Sequence, residues 1–228
     1  MTLLVGLLDS GISDQLVEFT ADSAAFQLNE EEKMIQVPPA GDRTGHGSRL
    51  ARIILSASDE IALLNAQVLS DRGSGSPAII TAGLYWLIDA GARIINMSFG
   101  LTADRPILRE ACRHALDMGV ILVASSPQRG NPVYPAAYDD VIAVTGDARC
   151  ASTEYSHMPA PNAQFGACVH LPGKESGQPD KSGSSIAVAH MTRAVVNKLL
   201  SEPNISVAEI VQQLIENCRY HGAEKRTP

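Results

Sequence analysis

Three short segments of the 228-residue chain carry side chains that together could perform acyl transfer through a serine. Asp9 stands in Leu7-Leu8-Asp9-Ser10-Gly11-Ile12, His46 in Gly45-His46-Gly47-Ser48, and a serine pair in Ser182-Gly183-Ser184-Ser185-Ile186-Ala187. Serine nucleophiles need a base to take the hydroxyl proton, a third group to orient that base, and donors that await the oxyanion. Six histidines and many serines are present, so composition selects none of them. Context narrows the choice. Glycines on both sides of His46 let backbone and substrate come close. Ser184 and Ser185 open a helical stretch, where free N–H groups and the positive end of the helix dipole lie beside a nucleophile. Each residue alone also has a plainer use. A Gly-flanked histidine serves in turns, a serine at a helix start is an N-cap, and an aspartate at a strand end caps a turn.

The elements that must position these groups follow from hydrophobic periodicity. Asp9 closes the apolar run Leu3 to Leu8, the pattern of a strand buried on both faces. The polar segment after it, with Glu30-Glu31-Glu32 and Pro38-Pro39, predicts surface loops and turns. His46 to Ser58 predicts a helix with Leu50, Ile53, Ile54 and Ala57 on one stripe. Ile61 to Leu69 predicts a second strand, and Gly73-Ser74-Gly75 breaks the chain. Helices are expected from Pro77 to Ala90 and from Asp104 to Met118, and strands from Arg93 to Phe99, Val120 to Ala124 and Val141 to Val144. Arg149 to Lys181 is less regular, and a helix follows from Ser184 to Leu200. The last helix starts at Ser206 with Glu209 completing a capping box, and Val207, Ile210, Val211, Leu214 and Ile215 form its core stripe. This alternation implies an α/β fold of three layers, a mostly parallel sheet covered by helices on both faces. Such sheets bind ligands at the carboxyl ends of their strands, where Asp9, Gly100 and the turn from Ser125 to Gly130 all lie.

The whole chain sets further bounds. A hydrophobic share of 45% with 19% charged residues fits a folded globular domain, and 228 residues suit one domain better than two. A net charge of −7 argues against nucleic acid and anionic membrane as partners. No stretch approaches the roughly 20 apolar residues of a membrane span. The apolar start lacks a basic flank and runs straight into Asp9, so it predicts a strand and not a secretion signal. Cys112, Cys150, Cys168 and Cys218 show no C-x-x-C spacing, and free thiols are expected. The expectation is a single domain over residues 1–228, cytoplasmic, with neither signal peptide nor propeptide.

Taken together the segments resemble the subtilisin-like serine peptidases. Leu7 to Ile12 resembles the aspartate motif of that family, and Gly45-His46-Gly47-Ser48-Arg49-Leu50-Ala51 its histidine motif, with Ser48 and Arg49 where Thr and His are usual. Gly183-Ser184-Ser185-Ile186-Ala187 is similar to the serine motif Gly-Thr-Ser-Met-Ala. Ile94 to Gly100 resembles the strand that lines the substrate cleft, and Gly130 to Ala136 and Val141 to Val144 also fit. The chain order Asp, His, Ser is the order of that family. The resemblance implies Ser185 as nucleophile, with Ser184 in place of the family's threonine. It implies His46 as general base and then acid, and Asp9 as the orienting carboxylate. It further implies that Gly73-Ser74-Gly75 and Ser98-Phe99-Gly100 clamp an extended peptide as a third strand, and that Ala124, Ser125 and Ser126 wall the pocket before the scissile bond.

The chain also departs from the family. Gln128 falls where the oxyanion-hole asparagine is expected, with a side chain one carbon longer, and Asn131 is the other side-chain donor nearby. The backbone N–H of Ser185 supplies a second donor. Ala189 replaces the usual proline, and His190 is expected to be structural. The short link between the His46 helix and the next strand leaves no room for the family's main calcium loop. No metal or cofactor is expected. Arg72, Arg129 and Lys174 are expected to be solvated surface charges. The expected function is cleavage of a restricted peptide or protein substrate in peptide or leader maturation. Small subtilases of this kind resemble the peptidase that acts in maturation of the small subunit of quinohemoprotein amine dehydrogenase. The alternatives are a peptide-binding module of the same fold without activity, and an acyl transferase using the same triad.

Overall fold

Apolar strands alternating with amphipathic helices assemble into three layers around one twisted sheet. The structure is a computed structural model and describes residues 2–158, 162–171 and 183–223; Lys174 and Ser182 lie outside the described residues. In chain order the elements are β1 (Leu3–Asp9), a 3₁₀ turn (Asp14–Phe19), β2 (Thr20–Leu28), β3 (Met34–Val37), α1 (His46–Leu55), β4 (Ile61–Gln67), α2 (Pro77–Asp89) and β5 (Ile94–Met97). There follow α3 (Pro106–Asp117), β6 (Ile121–Ser125), β7 (Ile142–Gly146), β8 (Tyr155–His157), β9 (Phe165–Ala167), α4 (Gly183–Ser201), α5 (Val207–Glu216) and β10 (Tyr220–His221).

The strand order is β10-β8-β9-β7-β6-β5-β1-β4-β2-β3. Among the described residues only β2–β3 and β8–β9 pair antiparallel. β1 lies between β4 and β5 in parallel register, with Asp9 opposite Gln67 and Leu8 opposite Met97. Consecutive residues of a strand point to opposite faces, so each central strand feeds two cores. Val5, Leu7, Ile94, Val123 and Val144 pack with α1, α4 and α5. Leu8, Ile95, Met97 and Ala124 pack with α2 and α3. Burial on both faces explains why these strands are continuous apolar runs. Each fully buried Leu or Ile contributes roughly 1.5–3 kcal/mol.

The acidic segment differs from its expected loop: it contains the β2–β3 hairpin. β2 shows no apolar alternation, and a register irregularity between Thr20 and Asp22 breaks its period. It is a strand because β4 offers a parallel partner, not because of its own hydrophobicity. β8, β9 and β10 are too short for any period to register. The helix expected from Ser206 forms with both halves of its capping box. The four cysteines, all among the described residues, form no disulfide.

Candidate active site

Three local devices bring Asp9 and His46 together. First, Asp9 ends β1, and its carbonyl accepts from Val68 and Leu69 N–H at 2.9 and 3.1 Å, which fixes the strand end. Second, the Gln67 amide bridges two loops, donating to Ser10 O and accepting from Ala40 N–H, both at 2.8 Å. Third, α1 starts at His46 behind Gly45, whose φ of 67° is a left-handed conformation that glycine adopts without strain. The helix approaches β1 so closely that a Cβ on Gly47 would stand 2.1 Å from Gly11 O and 3.3 Å from the Asp9 carboxylate. Only glycine fits there.

Asp42 acts as the cap of α1. One carboxylate oxygen accepts the N–H of Gly45 at 2.9 Å and the hydroxyls of Ser10 and Thr44 at 3.0 Å. The other accepts Ser48 N–H at 2.8 Å and Ser48 Oγ at 2.6 Å. Ser48 thus spends its hydroxyl on this anchor. Burial pushes the Asp42 pKa up, but the Ser48, Thr44 and Ser10 donors outweigh it and hold the carboxyl below its ordinary range.

The result is a short contact between Nδ1 of His46 and Oδ1 of Asp9, 2.7 Å apart, with Ser10 N–H donating to the same oxygen at 2.8 Å. Asp9 has no solvent exposure and the His46 side chain is 21% exposed, so the imidazole edge away from Asp9 faces the cleft. Burial pushes the His46 pKa down, yet the hydrogen bond and charge of Asp9 prevail and the net shift is upward. Nδ1–H is thereby fixed as the donor to Asp9, leaving Nε2 to act as a base.

Ser185 sits at the start of α4, among the first four N–H groups that a helix leaves without intrahelical partners, so its own N–H can serve an oxyanion. Its hydroxyl donates to the carbonyl of Ser98 at 3.2 Å, and the Ser98 hydroxyl donates back to the carbonyl of Ser185 at 3.4 Å. No hydrogen bond joins Ser185 to His46 among the described residues, although both line one cleft. The hydroxyl must turn from Ser98 to reach His46.

Of the expected peptide-binding residues, Gly73, Ser74, Gly75, Ser98, Phe99 and Gly100 all line this cleft. Ala124, Ser125 and Ser126 do not line it: Ala124 is core, and Ser126 is buried with its hydroxyl on Asn162 O. Gln128 and Asn131 are exposed on the turn after β6 and are likewise outside the cleft lining. Sequence reasoning missed Leu69, Ile80 and Leu101, which give the cleft apolar walls, and Asp71, whose carboxylate pairs with exposed Arg43 at 3.1 Å. It also missed Asp42, which lies three residues ahead of the N-cap Gly45, outside the position at which a capping side chain is read from sequence. His190 is buried in α4 with Nε2 on His170 O, and burial pushes its pKa down to about 4. Arg72 and Arg129 are exposed.

The model of the Subtilase family matches residues 2–226. Alkaline elastase YaB of Bacillus sp. (strain YaB) is 29% identical over 226 residues, covering 90% of this chain and 56% of its own length. A thermostable alkaline protease of Halalkalibacterium halodurans is 27% identical, covering 96% of this chain and 63% of its own. Subtilisin DY of Bacillus licheniformis is 26% identical, with coverage of 92% and 81%. The chain thus spans less than two thirds of the length of the first two relatives.

Proposed function

The chain belongs to the subtilase family, and from that premise we propose that it is a serine endopeptidase acting through an acyl-enzyme on Ser185. The observation that carries this is the 2.7 Å contact between His46 and buried Asp9 at the mouth of a cleft that also holds Ser185. An extended peptide enters between Gly73-Ser74-Gly75 and Ser98-Phe99-Gly100 as an added strand. Its N–H groups compete for the Ser98 carbonyl and release the Ser185 hydroxyl toward Nε2 of His46. Oγ attacks the scissile carbonyl as Nε2 takes the proton, and Asp9 stabilises the imidazolium. The Ser185 N–H and the α4 dipole receive the oxyanion. His46 then returns its proton to the leaving amine, and water repeats the sequence to free Ser185.

We extend the proposal to a restricted substrate: a leader-bearing peptide or protein matured in the cytoplasm, as in maturation of the small subunit of quinohemoprotein amine dehydrogenase. Two observations support selectivity. The side-chain oxyanion candidates lie outside the cleft lining, which favours slow turnover and so limits damage to bystander proteins. The apolar walls at Leu69, Ile80 and Leu101 reward particular side chains. Incubating the chain with a leader-bearing precursor tests this: one cut that Ser185→Ala abolishes is expected, and its absence overturns the maturation role. The Ser185–Ser98 hydrogen bond favours one second reading, a module that binds peptides without cutting them. Tight peptide binding with no covalent intermediate on Ser185 would establish it.

A further inference from the structure

Asn96 is a polar residue at a core position of a central strand. Residues of β5 alternate between faces, so Asn96 shares with Ile94 the side covered by α4, while Ile95 and Met97 face α2 and α3. Its side chain has no solvent exposure, and a buried amide without partners is strongly destabilising. The amide is satisfied by residues far apart in sequence. Thr192 Oγ1 donates to Asn96 Oδ1 at 3.0 Å, and Asn96 Nδ2 donates to Ser98 Oγ at 2.9 Å. Ser98 Oγ then donates to the carbonyl of Ser185 at 3.4 Å. The donors run head to tail, Thr192 to Asn96 to Ser98 to Ser185, and such chains strengthen by mutual polarisation.

The geometry matters more than the energy. Thr192 lies seven residues beyond Ser185 on α4, two turns along the same face. These hydrogen bonds therefore stitch α4 to β5 and the residue just beyond it at two heights, once at Thr192–Asn96 and once at Ser185–Ser98. Apolar packing alone holds a helix on a sheet but lets it slide, because it is not directional. Hydrogen bonds of fixed length do not.

We propose that Thr192, acting through Asn96 and Ser98, is a positioning residue for Ser185. It sets the height of α4 against β5 and so the placement of the nucleophile relative to the peptide-binding edge. This rests on the assignment of Ser185 as nucleophile. Thr192 and Asn96 are fully buried and do not line the cleft. A displacement on the order of 1 Å at a reacting group costs about 10²-fold in rate, so a slack chain should be visible in kinetics.

The test is saturation kinetics of Ser185 labelling by a fluorophosphonate on the full chain, with the site read by peptide mass spectrometry and Tm measured in parallel. Thr192→Val should lower the limiting labelling rate at least about tenfold with little change in half-saturating probe concentration. Thr192→Ser, which keeps the hydroxyl, should restore the wild-type rate. If Thr192→Val lowers Tm but labels at the wild-type rate well below Tm, the residue is merely structural and the proposal is overturned. Should Thr192→Val fail to fold, Ser98→Ala removes the next link at the strand edge. It should show the same loss, and an undiminished rate overturns the proposal. A wild-type chain that takes no label at Ser185 overturns the nucleophile assignment and this proposal with it; a labelled wild type with an equally fast Thr192→Val overturns the positioning role alone.

Discussion

Nδ1 of His46 lies 2.7 Å from Oδ1 of Asp9, a carboxylate with no solvent exposure. That relationship sets the pH dependence of the proposed activity. Burial alone would lower the His46 pKa, but the Asp9 hydrogen bond and charge raise it above its ordinary value, with Asp42 assisting and Arg49 opposing. Catalysis needs neutral His46, so activity falls as the pH drops through this raised pKa. The expected profile of kcat/KM is a single-proton acidic limb with its midpoint above about 6.5. Asp9→Asn should move that midpoint down and lower kcat by roughly 10⁴-fold. A limb unmoved by Asp9→Asn contradicts the pairing.

Gly47 is where helix and strand touch. A Cβ placed 2.1 Å from Gly11 O must push α1 away from β1, and with it His46 from Asp9. Gly47→Ala should reduce kcat/KM by about 10²-fold or more. Crosslink-free size-exclusion and circular dichroism would show that the fold is kept. Wild-type activity in Gly47→Ala would contradict the close approach.

Asp42 couples stability to the same helix. Its folded pKa is depressed, so its stabilisation is present above the ordinary carboxylate range and is lost as pH falls through the depressed value. Asp42→Asn keeps the shape but weakens the charge-assisted hydrogen bonds from Ser48, Thr44 and Ser10. At neutral pH it should cost about 2 kcal/mol, a Tm decrease of roughly 4–8 °C for a chain of this size. The difference from wild type should shrink below about pH 4. A difference independent of pH would contradict the role of the charge.

Gln128 is exposed and outside the cleft lining. Gln128→Ala should therefore lower kcat no more than a few-fold, well short of the roughly 10²–10³ lost with an oxyanion donor. A hundredfold loss would mean that the turn after β6 closes over the oxyanion in the complex.

Much of this was legible in the sequence, for identifiable reasons. Asp9, His46 and Ser185 stand in glycine-bearing segments at a strand end or a helix start, where local pattern and chemistry coincide. Strands buried on both faces announce themselves as apolar runs, as from Leu3 to Leu8. The β2–β3 hairpin was illegible because β2 is held by its neighbour β4 and carries no alternation of its own. The support beneath the site was illegible for a different reason. Asn96 and Thr192 are 96 residues apart, and nothing near either one names its partner. Likewise nothing in the glutamine at the end of β4 signals that its amide clamps Ser10 and Ala40.

The most direct measurement is covalent. The purified chain is treated with a fluorophosphonate probe at pH 8, and the adduct is located by peptide mass spectrometry beside a Ser185→Ala control. The account predicts a single phosphonylated residue, Ser185, with labelling that slows on acidification as His46 takes a proton and that vanishes in Ser185→Ala. A folded chain that takes no label, or takes it on another serine, would contradict the assignment of Asp9, His46 and Ser185 as one catalytic unit.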